Sequence, residues 1–302
     1  MGERILLVDD EKDLLEVLDE FLTEKGYQVS TAQNASQALD LVGREQFDLI
    51  LSDINMPGTK GFELLAEVAQ IRPTLKRALI TAYDVRDYLR MARDHDVGNI
   101  IAKTTPFNFD EVELLIRNIL TEDVFGLSHY VQGAISETRL NTAAQVEPLI
   151  ARITQDFPDN RQRRRFRQAL GEIMINAFYY GARSERGDRK GEWSFDVTLS
   201  PEEEITVAWG MDEEKSGVLV ADQKGRLTKK DVLYWLERNT TKGDDGLSHG
   251  LFDEHGKGLF ITREIIDRLI INTKRTARTE VVMLNYREGL YDGFRPLWIH
   301  EF

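Results

Sequence analysis

Apolar positions along the first 121 residues change their period repeatedly. Residues 4–8 (RILLV) are a short apolar run that stops at Asp9 and Asp10. From 12 to 26 the spacing lengthens, with Leu14, Leu15, Leu18, Phe21 and Leu22 recurring at helical intervals and Gly26 placed as a C-terminal stop. The alternation then repeats. The runs YQVSTA, FDLILSD (47–53), RALIT (77–81) and NIIAK (99–103) read as strands. They are followed by the helical patterns ASQALDLVGREQ, GFELLAEVAQIR, VRDYLRMARDH and NFDEVELLIRNIL. Five βα units of this length predict an α/β domain, a doubly wound (βα)5 parallel sheet with helices on both faces. Ligands of such sheets gather at the carboxyl ends of the strands.

The pattern changes after residue 121. Residues 122–145 read as a linker and the first elements of an output domain, with a strand near ISETRLN. From 146 to 302 helices and strands mix: AQVEPLIARITQDF, a long helix over about 161–180, the strands WSFDVTLS, EITVAWG and GVLVAD, the helix KKDVLYWLER, the helix LFITREIIDRL, and the strands IINTKR, TEVVMLNY and LWIHEF. This predicts an α+β domain on a mostly antiparallel sheet.

Composition narrows the function. Apolar residues make up 41% of the 302-residue chain, enough for two cores. The net charge of -13 opposes direct binding to nucleic acid, which needs a basic footprint. With no cysteine, thiolate metal sites and thiol nucleophiles are excluded. No apolar run reaches the ~18 residues of a membrane span, and the N-terminus lacks a signal-peptide apolar region. The expectation is a cytoplasmic protein without membrane contact. The arginines of RQRRRFRQ (161–168) read as a solvated helix face, and the four tryptophans as core.

Every strand but the second in the first domain ends on a polar residue: Asp9 and Asp10, Asp53, Thr81 and Lys103. In a parallel sheet these ends share one edge. Clustered carboxylates call for a hard cation, and an oxygen-rich site of this kind suits Mg²⁺. A lysine adds positive charge for phosphoryl oxygens. The pieces LLVDD, LSDINMPG, LIT and IIAK followed by TTPF resemble the CheY-like receiver domain of bacterial response regulators, over residues 1–121. The resemblance implies that Asp53 accepts a phosphoryl group from an upstream histidine kinase, in a two-component phosphorelay. It implies that Asp9, Asp10, Asp53 and the backbone of Asn55 hold Mg²⁺, and that Thr81 and Lys103 contact the phosphoryl group. Two departures stand out. Lys103-Thr104-Thr105-Pro106 replaces the usual Lys-Pro, predicting a different loop shape, and the aromatic switch position is Ile100.

A second set of residues lies in the C-terminal half. Glu172 and Asn176 are four apart, so they share a helix face. VLVADQKG brings Asp222 to a strand end before Gly225, and HGKG places Gly256 and Gly258 before a helix, where backbone N–H groups suit phosphate. An amide oxygen at Asn176 suits a nucleotide's Mg²⁺, and a carboxylate at Glu172 suits a general base. In this order and spacing the set resembles the GHKL (Bergerat-fold) ATPases, within them the anti-sigma-factor serine/threonine kinases. The resemblance implies an ATP site formed by Asn176, Asp222, Gly225, Gly256, Gly258 and Thr279, with Glu172 catalytic. Lys224 and Arg226 stand where that family carries glycines, so Lys224 either reaches a phosphate or blocks the pocket.

Two readings of the output domain remain open. One is an ATP-dependent protein kinase or partner switch acting on an anti-sigma-factor antagonist or sigma factor. The other is a catalytically degenerate scaffold controlled by phosphorylation. A hybrid histidine kinase has little support, because the candidate His129 is followed by Tyr130-Val131 rather than an acid. Family analogy also suggests a homodimer through the receiver face of the fourth helix, fifth strand and fifth helix.

Overall fold

Strands covered on both faces read as unbroken apolar runs, and the N-terminal half obeys this rule. In the computed structural model, which describes residues 2–121, 124–157, 160–182, 198–241, 248–250, 256–287 and 290–302, β1 (Arg4–Val8), β3 (Leu49–Asp53) and β4 (Lys76–Thr81) are buried through most of their length. Together with β2 (Gln28–Ala32) and β5 (Asn99–Ala102) they form a parallel sheet in the order β2-β1-β3-β4-β5. Around it lie α1 (Lys12–Glu24), α2 (Ala35–Arg44), α3 (Gly61–Ile71), α4 (Leu89–Asp94) and α5 (Phe109–Leu120). Helix α1 packs beside α5, with the Phe21 and Phe109 rings 5.2 Å apart, and α2 packs beside α3.

The chain divides into two units. The first comprises Met1–Asp123 with Tyr291–Trp298, and the second comprises Val124–Leu290 with Ile299–Phe302. The first unit therefore includes a segment from near the end of the chain. The start of β11 (Leu297–Glu301) pairs antiparallel with β5, Leu297 opposite Ile100 and Trp298 opposite Asn99. Where the sequence suggested a fourth helix over 85–95, a 3₁₀ turn at Val85–Tyr88 precedes a short α4.

In the second unit, β6 (Ile135–Leu140), β7 (Ile205–Met211), β8 (Lys215–Asp222), β9 (Arg268–Lys274) and β10 (Arg278–Tyr286) form an antiparallel sheet in the order β9-β10-β8-β7-β6. Helices α6 (Val146–Asp156), α7 (Asn160–Asn176), α8 (Lys229–Thr240) and α9 (Lys257–Ile265) pack in succession, α6 on α7, α7 on α9 and α9 on α8. Residues 124–140, read from sequence as linker and first elements, are tied to this unit. The buried Glu280 accepts the Gly126 N–H at 2.9 Å, and the Asn272 amide donates to the Val124 carbonyl at 3.0 Å. The long helix stops its α-helical bonding at Asn176 and continues as a π-helical turn, Ala177–Ala182, a form that concentrates at functional sites. Helix α9 ends at Ile265, short of the sequence expectation, because β9 already begins at Arg268. Most of the strand expected at 193–200 lies outside the described residues, as does Trp193; Thr198 pairs with Thr142 in a single bridge.

One glycine fixes how closely α3 approaches β3. A Cβ at Gly61 would lie 2.2 Å from the backbone oxygen of Asp53, which cannot yield. Gly61→Ala should cost about 1–3 kcal/mol by overpacking. Gly43→Ala, on an exposed turn of α2 with open space around it, should stabilise by about 0.5–1 kcal/mol. Hydrogen exchange of α2 and α3 peptides across a urea series checks both; equal effects of the two substitutions would refute the packing argument.

Candidate functional site

Strand ends β1, β3, β4 and β5 meet at one edge of the first unit. Asp9, one residue beyond β1, is 2% exposed, and Asp53, the last residue of β3, is 6% exposed. Between them stands the Lys103 ammonium, 2.9 Å from Asp9 Oδ2 and 2.8 Å from Asp53 Oδ1. The remaining carboxylate oxygens are held by backbone. Asp9 Oδ1 accepts the Glu11 N–H at 2.9 Å, and Asp53 Oδ2 accepts the Asn55 N–H at 2.5 Å. Thr81, fully buried at the end of β4, accepts the Tyr83 N–H on its hydroxyl, and its carbonyl accepts the Lys103 N–H at 2.7 Å.

Electrostatics follow from this burial. Desolvation pushes the Asp9 carboxyl above its ordinary range, and the facing Asp53 adds to it; the Glu11 N–H and Lys103 oppose the rise. Burial alone would lower the Lys103 ammonium, but hydrogen bonds and charge from Asp53 and Asp9 outweigh it and raise it instead.

The structure thus gathers Asp9, Asp53, Thr81 and Lys103, with Asn55 beside Asp53. Asp10 stays exposed, and the expected gathering of three carboxylates is not seen: among the described residues no group of three acidic, histidine or cysteine side chains is close enough to hold a metal ion. The physical reason is that Lys103 stands between the two buried acids and pairs with both, while Asp10 is left to solvent. Two neighbours escaped the sequence reading. Glu11 lies 3.3 Å from Lys103, and Tyr88 accepts the Asn55 side-chain amide at 2.6 Å. The acidic run Asp9-Asp10-Glu11 was a signal for the first; nothing local signals the second. Ile100 is fully buried against Leu79 and Leu297. In the loop after Lys103, Thr105 exchanges both backbone hydrogen bonds with Asp292, and the Thr104 hydroxyl donates to the Pro106 carbonyl and accepts the Asn108 N–H.

A cavity of about 310 Å³ lies in the second unit. Asn176, Asp222, Gly256 and Thr279 line it, as do Arg226 and Trp235. Trp235 was expected in the core but is half-buried on the cavity wall, against Gly256, where a Cβ would strike its ring. Asp222 Oδ1 accepts the N–H groups of Lys224 and Gly225, at 2.8 and 3.1 Å, while Oδ2 lies beside Gly181. Burial raises the Asp222 carboxyl against the pull of these two donors. Gly225 does not line the cavity; it serves the turn, with φ of +58° and no room for a Cβ beneath the Lys274 carbonyl. Glu172 and Gly258 also stand outside the lining and instead pack on each other, Glu172 Oε2 lying 2.3 Å from where a Gly258 Cβ would be. Arg226, rather than Lys224, reaches the cavity.

Other features stay structural. Arg163 donates to the Phe157 carbonyl, Arg165 pairs with Asp267 at 2.9 Å and Arg167 pairs with Glu147. His129 sits in a 3₁₀ turn, Leu127–His129. Among the described residues no helix is long and apolar enough to cross a membrane.

Comparison with known proteins places the first unit in a known family. The family model described as response regulator receiver domain matches residues 5–117. Sporulation initiation phosphotransferase F of Bacillus subtilis is 33% identical over 120 residues, which are 40% of this chain and 95% of that protein. Transcriptional regulatory protein GlrR of Escherichia coli is 38% identical over 79 residues, 26% of this chain and 18% of that one. Among solved structures, the response regulator protein TrrA of Thermotoga maritima in complex with Mg(2+)-BeF is 36% identical, with a TM-score of 0.36, covering 39% of this chain and 99% of that one. The chain belongs to the response regulator receiver family, through the fold built on β1–β5.

Removing the central cation tests the electrostatics. Lys103→Met leaves Asp9 and Asp53 buried and facing each other, at a cost of about 3–5 kcal/mol. Asp9 has a folded pKa above its unfolded value, so its contribution to stability is full below about pH 4 and is lost as pH rises through the folded pKa. The variant should raise that pKa further. The penalty should therefore be larger at pH 8 than at pH 5, as read by thermal denaturation; a penalty independent of pH would contradict the arrangement.

Proposed function

We propose that this protein is a two-component response regulator in which Asp53 accepts a phosphoryl group from an upstream histidine kinase. The single observation behind this reading is the buried Asp53 carboxylate, with Oδ2 fixed by the Asn55 N–H and Oδ1 facing Lys103. A carboxylate oxygen of Asp53 attacks phosphorus, the phosphorus–nitrogen bond of a phosphohistidine breaks, and its electron pair returns to the imidazole. Lys103 pairs with a phosphoryl oxygen and Thr81 donates its hydroxyl to another. The donor set is hard oxygen, and the buried acids carry more negative charge than Lys103 offsets, which fits Mg²⁺. Asp9, Asp10, Asp53 and the Asn55 backbone would hold it, and the ion would shield the charge of the incoming group.

The output is a Bergerat-type nucleotide-binding unit in this reading. Its support is the cavity in which Asn176, Asp222, Gly256 and Thr279 converge. Asn176 carries the amide oxygen for a nucleotide's Mg²⁺, and Asp222 presents Oδ2 as an acceptor for a purine amino group. A protein serine/threonine kinase of the anti-sigma type, acting on an anti-sigma-factor antagonist or sigma factor, is the enzymatic form. One observation favours the second form, a phosphorylation-controlled scaffold without catalysis. Glu172, the base the kinase needs, packs against Gly258 rather than lining the cavity.

Two measurements test this. Asp53→Ala should abolish acyl-phosphate labelling by a small-molecule phosphodonor; retained labelling would sink the acceptor assignment. Calorimetric titration of Mg²⁺·ATP should give micromolar binding that Asn176→Ala weakens at least tenfold. If ATP binds and Glu172→Ala loses phosphate transfer while keeping partner binding, the unit is a kinase. If Glu172→Ala changes no output, it is the scaffold. Absence of ATP binding refutes the nucleotide site.

A further inference from the structure

The edge strand of a sheet offers unpaired N–H and C=O groups, and proteins cover such edges deliberately. In the first unit β5 is one of the two edges of the parallel sheet, and its cover comes from the segment Tyr291–Trp298. The attachment has two parts. At one end Leu297 and Trp298 pair with Ile100 and Asn99, and both are buried. At the other end the Thr105 N–H donates to the Asp292 carbonyl at 2.7 Å, and the Asp292 N–H donates back at 3.1 Å. Gly293 then passes close over Thr104: a Cβ there would lie 3.2 Å from the Thr104 Cα and 3.3 Å from its Cγ2. Its φ of +154° is also one that side chains rarely adopt.

The second attachment lies two residues from Lys103, the side chain that holds both buried acids. Little between them can absorb a displacement. The Thr104 hydroxyl is fixed at 2.8 Å to the Pro106 carbonyl and at 3.2 Å to the Asn108 N–H, so residues 104–108 form a braced turn. A phosphoryl group on Asp53 brings about −1.5 to −2 charges and three acceptor oxygens. It would stand between the Asp53 oxygen and an ammonium now only 2.8 Å away. The ammonium must move outward to remain paired, and the braced turn moves with it. The Thr105–Asp292 pair is the weakest point in that path, an isolated bridge of two hydrogen bonds outside the β5–β11 ladder.

We propose that residues 291–298 form a strap on the receiver edge that is released by phosphorylation, with Lys103, Thr104 and Thr105 as the mechanical link. The proposal rests on Asp53 being the acceptor. Its consequence follows from chain continuity, since Trp298 is followed directly by Ile299–Phe302 of the second unit. The state of Asp53 is thereby handed to a segment continuous with the output unit. Release also uncovers the β5 edge.

The test uses the full chain, Mg²⁺ and beryllofluoride as the phosphoryl mimic. Fluorine NMR reads occupancy of the acceptor site, and hydrogen exchange reads peptides covering 103–108 and 290–302. At saturation the amides of Thr105, Asp292 and the Leu297–Trp298 ladder should exchange at least tenfold faster. Gly293→Val, which crowds Thr104, should show the faster exchange without beryllofluoride, while β1–β4 peptides keep their protection. Bound fluoride with unchanged or slower exchange in both segments would overturn the strap while leaving the acceptor intact. Absence of a bound-fluoride resonance would overturn the acceptor reading, and the strap with it.

Discussion

The ammonium of Lys103 between two buried carboxylates is the constraint on which the first unit is organised. Two acids at adjacent strand ends, each almost without solvent, repel one another in a low dielectric. One cation at 2.8–2.9 Å from both makes the edge tolerable. Its backbone is fixed in turn by Thr81, so β1, β3, β4 and β5 all terminate on one electrostatic knot. The arrangement is poised rather than relaxed. Asp9 is held partly against its preference for protonation, and Lys103 satisfies two acids with one charge. A site in that balance responds strongly to any added charge, as an acceptor of phosphoryl groups must.

The parallel sheet and its edge residues were legible because both signals are local. Apolar runs of five residues alternating with helical periods specify βα units, and polar residues at strand ends specify the edge. What sequence could not supply were partners distant along the chain. Tyr88 reaches Asn55 across 33 positions, and nothing in its helical pattern marks it. Asp10 read as equal to Asp9, yet only Asp9 turns inward, because the hydrogen bond from the Glu11 N–H and the position of Lys103 select it. The C-terminal run LWIHEF was readable as a strand, but its pairing with β5 was not, since register across nearly 200 residues has no sequence signature.

The second unit shows the same division between local and distant signals. Asn176 and Asp222, each placed by its own helix or strand end, do converge on the cavity with Gly256 and Thr279. Glu172 shares Asn176's helix face but is claimed by the close approach of Gly258, a packing event that spacing along α7 does not encode. Likewise, of the two residues around Gly225 it was Lys224 that was expected at the pocket. The left-handed turn at that glycine separates their fates, and only Arg226 is brought to the cavity. Trp235, read as core from its apolar neighbours, is displaced to the wall by contact with Gly256.

The receiver's sixth strand has a consequence in the order of synthesis. Residues 1–121 leave the ribosome as a nearly complete α/β fold, but the segment that closes its edge follows some 170 residues later. At about 5–20 residues per second, that interval lasts on the order of ten to thirty seconds. During this time β5 is a bare edge, with Ile100 and Ile101 covered on one side only. The first unit to begin folding therefore waits for a segment made after nearly all of the second. Until residues 291–298 emerge, the nascent chain carries an open pairing edge at β5, a liability the folded molecule does not show there.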